Sequence, residues 1–227
     1  MSPPLPDASQ RTERPEFLQG RPDVHHRGPL SSLHDREVLE REAVRMRVKE
    51  RELDLDWVTP LLAVGGSYPM DAAAHLAQKL GVRHVVDVRV ECRDDEHVLR
   101  KHGITFLHLP TVDMRAIQSR MIHDGVEWVR ERLANEQKVL IHCEHGIGRS
   151  ALLTLCVLVD QGMEPLAALD LAKTRRPCVS PSPEQLGAFI AYTRDVHARG
   201  AVPWPVPTLE ALGTIAYRHL RACLETS

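Results

Sequence analysis

Long apolar runs are missing from this chain of 227 residues. No stretch reaches the roughly 20 apolar residues that span a bilayer, and the first residues carry no apolar signal-peptide core. Both absences argue against a membrane span. Excess charge is missing as well: a net charge of −2 gives no general pull toward nucleic acid or a charged surface. The five cysteines (Cys92, Cys143, Cys156, Cys178 and Cys223) are odd in number and lack tight pairing intervals. That excludes a disulfide framework and fits a reducing, cytoplasmic setting. No second Cys/His cluster lies at finger-like spacing, so no metal is expected. A Walker-type nucleotide loop is excluded because no Gly-Lys-Ser/Thr follows any glycine turn. What the chain does have is 43% hydrophobic residues, enough for one medium domain with extensions.

Residues 1–32 carry six prolines among polar and charged side chains and read as a flexible tail. Residues 33–56 mix acids and bases, with Glu37 and Arg41 at i,i+4, and read as a charge-laced, exposed helix. A folded domain is expected over 57–199. It opens with residues 57–64 as a strand broken by Pro60 and hence placed at an edge. Strands follow at 83–88, 104–109 and 138–141, and helices at 70–80, 93–102 and 117–133. In the last of these Ile122, Val126, Val129 and Leu133 repeat at helical spacing. Such alternation implies an α/β fold with a central, mainly parallel sheet and helices on both faces. Helices at 151–161, 164–174 and 182–196 complete the domain. A Pro-rich linker is expected at 200–207. A final helix over 208–227 is capped by Thr208 and buries a stripe of Leu209, Leu212, Ile215, Ala216 and Leu220.

The chemistry concentrates where strand 138–141 ends. His142-Cys143-Glu144-His145-Gly146-Ile147-Gly148-Arg149-Ser150 joins a buried strand to a buried helix through two glycines. At such a junction successive N–H groups turn inward and the helix dipole adds positive character, so the loop can hold an anion. Gly146 and Gly148 are expected to take backbone conformations closed to residues with a Cβ. Arg149 offers a planar fork for two phosphate oxygens. Cys143 lies at the base of this field, which favours the thiolate and hence a nucleophile. The substrate-binding set is therefore Glu144, His145, Gly146, Ile147, Gly148 and Arg149. Ser150 can donate to the sulfur, and His142 is read as orienting the loop.

A phosphate ester needs a proton on its leaving oxygen. Three acids precede the loop: Asp87, beside Arg89 and suited to a structural ion pair; Asp124, inside a helix; and Asp113, in a loop after a strand. Asp113 is favoured as general acid because its loop can swing over the pocket.

The His-Cys-x5-Arg-Ser run resembles the signature loop of the cysteine-dependent protein tyrosine phosphatase superfamily. The interval of thirty residues from Asp113 to Cys143 resembles that of dual-specificity phosphatases, whose corresponding loop carries the general acid. Residues 60–66, the Val86-Asp87-Val88-Arg89 strand and Arg176-Pro177 with Pro181 and Gln185 are similar to the same family. The likeness covers about residues 57–194. It implies hydrolysis of phosphotyrosine and phosphoserine/threonine in proteins through a phosphocysteine, with no cofactor. Alternatives are a catalytically silent phosphate reader, a rhodanese-like enzyme, or a phosphatase of other esters such as phosphoinositides. Two departures are Glu144 within the loop and Met114-Arg115 after the acid. No lysine stands between Cys143 and Arg149, so one phosphate is expected rather than a cluster.

Overall fold

The computed structural model describes residues 53–200 and 202–219. The expected tail (1–32), all but the last four residues of the charged helix (33–56) and the end of the final helix (220–227) lie outside the described residues.

Strands β1 (Leu55–Trp57), β2 (Leu62–Gly65), β3 (Val82–Arg89), β4 (Thr105–Thr111) and β5 (Lys138–His142) form one sheet in the order β1-β2-β5-β3-β4. β1 is antiparallel to β2, and the remaining three pairings are parallel. The interior strands are buried over most of their length because both their faces are covered. On one face lie α1 (Ala73–Gln78) and α2 (Glu96–Lys101), whose Leu76 and Leu99 pack with Val85 and Leu140. On the other lie α3 (Ser119–Ala134), α4 (Arg149–Asp160), α5 (Pro165–Arg175), α6 (Pro183–Ala198) and α7 (Leu209–Ala216), gathered around Val86, Val88 and Ile141. This is the mainly parallel α/β arrangement implied by the alternation of elements.

Local chemistry explains the helix ends. Asp95 accepts from the N–H groups of His97 and Val98 and starts α2. Ser182 and Gln185 form a reciprocal capping box on α6, with Pro183 at its first position. Ile122, Val126, Val129 and Leu133 of α3 are all buried, each contributing about 1.5–3 kcal/mol relative to exposure. From Arg149 to Val159 every residue of α4 is buried, so the helix behind the reactive loop is the axis of the core.

Four expectations change. Residues 57–64 are a hairpin, not one strand. Pro60, which lacks an N–H, sits in the turn, where Thr59 Oγ1 accepts from the N–H groups of Leu61 (3.3 Å) and Leu62 (3.0 Å). Consequently the end of the expected charged helix, residues 55 and 56, belongs to strand β1. The 200–207 linker is in part a packed segment, since Trp204 is buried in the main core together with Leu212 and Ala216 of α7. Leu209, placed in the buried stripe by periodicity, is exposed. It is the first residue of α7, and Cα–Cβ bonds tilt toward a helix N-terminus, so its side chain overhangs the packed face.

Candidate active site

β5 lies between β2 and β3, and its carboxyl end delivers Cys143 to the middle of the sheet edge. The loop that follows is held by its carbonyls. Glu144 O accepts from Ser67 N at 2.9 Å and Ile147 O from Ser180 N at 2.9 Å. His145 O and Gly146 O accept from Arg176 Nη2 and Nε, each at 3.0 Å. In a trans peptide the carbonyl and the next N–H point opposite ways. Four carbonyls claimed from outside therefore turn the N–H groups of residues 145–148 into the cradle. Arg176 is itself anchored by Asp54 (2.7 Å) and Asp56 (2.9 Å).

Cys143 Sγ, buried at the base, receives the N–H of Gly146 at 3.2 Å and lies 3.3 Å from Ser150 Oγ. Gly146 has φ +66°, and a Cβ there would come within 2.6 Å of the Gly65 carbonyl carbon. Gly148 differs from expectation. Its φ of −121° is open to any residue, and what it needs is space, because a Cβ would stand 2.4 Å from Gln185 Oε1.

Arg149 closes the cradle, 1% exposed. Its Nη1 and Nη2 hold Glu91 in a bidentate pair at 2.8 and 2.7 Å. Nη1 also donates to Thr111 O at 2.9 Å, and Nη2 lies 3.1 Å from Asp113 Oδ1. Its Nε is buried without a partner, which leaves one donor of the fork for an oxygen of a bound phosphate. Burial, the largest single cause, would lower the guanidinium's pKa, but the Glu91 hydrogen bonds together with the charges of Cys143, Glu91 and Asp113 outweigh it and the net shift is upward. In return the hydrogen bonds from Arg149 hold Glu91 down at about 2. That pair is intact above the ordinary carboxylate range and is lost only as pH falls toward 2.

Sequence reasoning missed Glu91. It follows β3, and only the β5–β3 adjacency brings it to Arg149. Glu91→Ala should free the fork to rotate and cost about tenfold in kcat/KM on an aryl phosphate, the scale of a charge-assisted hydrogen bond. An unchanged or higher value would mean that Glu91 competes with the substrate instead.

The three acids separate in space. Asp113 alone stands at Arg149, in an exposed loop. Asp87 pairs with Arg89 at 2.9 Å, as its sequence neighbourhood suggested. Asp124 faces solvent on α3, 3.8 Å from Arg120.

His142 is fully buried beneath the loop, with Nε2 3.0 Å from Asp94 Oδ2. Asp94 also accepts from Tyr68 Oη at 2.5 Å and Arg89 Nη2 at 2.7 Å. Burial by itself would raise the Asp94 pKa, but His142, Tyr68 and Arg89 bring it below the usual value. Asp87, Asp94 and His142 could pool ligand atoms for a cation, yet the guanidinium of Arg89 already occupies that role between the two carboxylates. Glu144 turns its carboxylate to Ser67 Oγ (3.2 Å) and Arg89 Nη1 (3.3 Å). It lines the cradle with its backbone while its charge is spent elsewhere. His145 and Ile147 present exposed side chains at the rim.

The model of the family described as dual specificity phosphatase, catalytic domain, matches residues 66–195. The chain belongs to the dual-specificity phosphatase family. Among curated relatives of this phosphatase domain, phosphatidylglycerophosphatase and protein-tyrosine phosphatase 1 of Mus musculus is 30% identical over 104 residues, 45% of this chain and 54% of the relative. Dual specificity protein phosphatase 9 of Homo sapiens is 26% identical over 142 residues, 61% of this chain and 36% of the relative. The chain thus spans about half or less of the length of these curated relatives. The solved structure of PTPMT1 in complex with PI(5)P shares the fold, with a TM-score of 0.60 at 23% identity, covering 63% of this chain and 97% of that one.

Proposed function

We propose that this phosphatase hydrolyses singly phosphorylated tyrosine and serine/threonine side chains of proteins through a phosphocysteine, in a reducing, cytoplasmic setting. The observation that carries the reading is the convergence of a buried thiol, a ring of inward N–H groups, Arg149 and Asp113 on one cradle. A silent phosphate reader needs neither the nucleophile nor the acid. Cys143 Sγ attacks phosphorus as the bond to the ester oxygen breaks, and Asp113 gives its proton to that oxygen. The N–H groups and Arg149 hold the three equatorial oxygens through the charge redistribution. Asp113, now a carboxylate, takes a proton from the water that attacks the phosphocysteine. The P–S bond breaks, and Ser150 and Gly146 N–H receive the departing sulfur.

Charge at the mouth is balanced, which suits one phosphate. Arg115, expected from sequence to add a cation there, is paired with Glu184 at 3.1 Å. Among the described residues, four of the five exposed large apolar side chains (Val90, Val112, Met114 and Ile147) stand on the loops that carry Glu91, Asp113 and the cradle. Such a rim suits an apolar or aryl carrier for the phosphate. The same rim supports a second reading, a phosphate ester on a lipid, and a curated relative's name and a solved structure's title both carry lipid phosphates.

A matched panel decides between them. Phosphotyrosine and phosphothreonine peptides are compared by kcat/KM with PI(5)P and phosphatidylglycerophosphate in mixed micelles. The peptides should turn over within about tenfold of each other, the discrimination of a shallow apolar contact, and the lipids more slowly. Preferred lipid hydrolysis would establish the second reading instead.

A further inference from the structure

The family match stops at residue 195, yet α7 and the segment before it are built into the same core as the catalytic helix α4. α7 packs on α5 and α6, and Arg218 fastens it further through Asp170 and Thr174 on α5. What it reaches is a short strap between those two helices. Tyr217 Oη donates to Pro181 O at 2.5 Å, and Ala216 O accepts from Ser180 Oγ at 3.2 Å. From beneath, the buried Lys173 ammonium donates to Val179 O (2.8 Å) and Ser180 Oγ (3.1 Å) and meets His219 Nδ1 at 2.9 Å.

The strap and the start of α6 touch both the cradle and the loop that carries Asp113. Ser180 N–H holds Ile147 O of the cradle at 2.9 Å. Ser182 Oγ donates to Met114 O at 2.8 Å, Gln185 Nε2 to Arg115 O at 3.1 Å, and Glu184 accepts from Ala116 N–H at 3.1 Å. Met114 is held at φ +61°, a left-handed conformation that costs a side-chain-bearing residue energy and persists only when its surroundings impose it. Here those surroundings are three hydrogen bonds from residues 182–185.

We propose that residues 202–219 act as a brace for the general-acid loop, and that Tyr217 is a positioning residue, transmitting the dock of α7 through Pro181 and Ser182 to the backbone that directly follows Asp113. The brace explains why an element beyond the family's catalytic domain is packed with so specific a set of polar contacts to one strap. It rests on the phosphatase reading for its kinetic consequence, but its structural consequence can be measured without turnover.

The experiment compares the full chain with its Tyr217→Phe variant, which removes one hydroxyl and keeps the ring. Amide hydrogen exchange should quicken by about three- to tenfold at Ser180, Arg115 and Ala116, the worth of one hydrogen bond, while amides in β3, β5 and α4 stay unchanged. In parallel, kcat/KM for phenyl phosphate, whose leaving oxygen needs a proton, should fall by a similar factor. For 2,4-dinitrophenyl phosphate, whose leaving group needs none, kcat/KM should change less than about twofold, since it reads only the step that forms the phosphocysteine and not its hydrolysis, where Asp113 serves both esters alike. Exchange that is unchanged at the three amides, or that rises evenly throughout the domain, overturns the brace. So does an equal loss on both esters. A wild-type chain inactive on either ester would instead defeat the phosphatase reading, with the exchange result still deciding the brace.

Discussion

Cys143→Ser is expected to abolish turnover of aryl phosphates, by roughly 10⁴-fold or more, the scale on which loss of a nucleophile acts in enzymes that depend on one. Oxyanion binding should survive. The cradle is formed by carbonyls tied to Ser67, Arg176 and Ser180 and by Arg149 tied to Glu91, and none of these bonds involves sulfur. A serine hydroxyl has no base beside it here. It meets Ser150 Oγ and the Gly146 N–H, both positioned to donate. An alcohol so placed stays protonated and does not attack phosphorus. Isothermal titration with tungstate and an aryl phosphate assay on the same preparation check both halves. Turnover retained in the variant would remove Cys143 from the mechanism. Arg149→Lys should fail almost as completely, because a point charge cannot bridge Glu91, Thr111 O and a phosphate oxygen as a planar fork does.

Asp113→Asn is expected to lower kcat/KM by roughly 10²–10⁴-fold on an ester with a basic leaving group, the usual worth of a general acid. The amide is chosen over alanine for a structural reason. Its oxygen can still accept from Arg149 Nη2, now 3.1 Å from Asp113 Oδ1, so the guanidinium keeps its surroundings while the proton donor is lost. The deficit should shrink steadily along a series of esters with more acidic leaving groups, and stopped-flow measurement of the phenolate burst reads this directly. Asp124→Asn serves as the control. That side chain faces solvent beside Arg120 and should leave every rate unchanged. A large loss at Asp124 with none at Asp113 would reverse the assignment.

Much of this architecture was legible because it is written in local patterns. The i, i+3, i+4 apolar spacing of residues 122–133 marked the buried face of α3, and all four of its residues are buried. The helix expected at 182–196 is observed as α6, Pro183–Ala198. Cys143, Gly146 and Arg149 lie within seven consecutive residues, so one turn of chain between a strand and a helix assembles them whatever the rest of the fold does.

Where reading by position went astray, the deciding partner was distant in the chain. Pro60 suggested an edge strand, whereas the pairing of β1 with β2 makes it the turn of a hairpin. Gly148 looked like a conformational requirement, but it is a spatial one set by Gln185. Glu144 looked like a charge inside the pocket until Arg89, from a neighbouring strand, took it up.

The sequence alone determined the fold class and singled out a candidate nucleophile, a candidate anion loop and three candidate acids, because periodicity and short motifs act over a turn or two of backbone. The tertiary structure decided which acid stands at Arg149, that Glu91 grips the same guanidinium, and that the C-terminal helix reaches the acid loop through residues 179–185. The reason is strand order. Setting β5 between β2 and β3 brings the ends of elements fifty or more residues apart to one sheet edge, and charges that are unrelated along the chain become hydrogen-bonded partners only there.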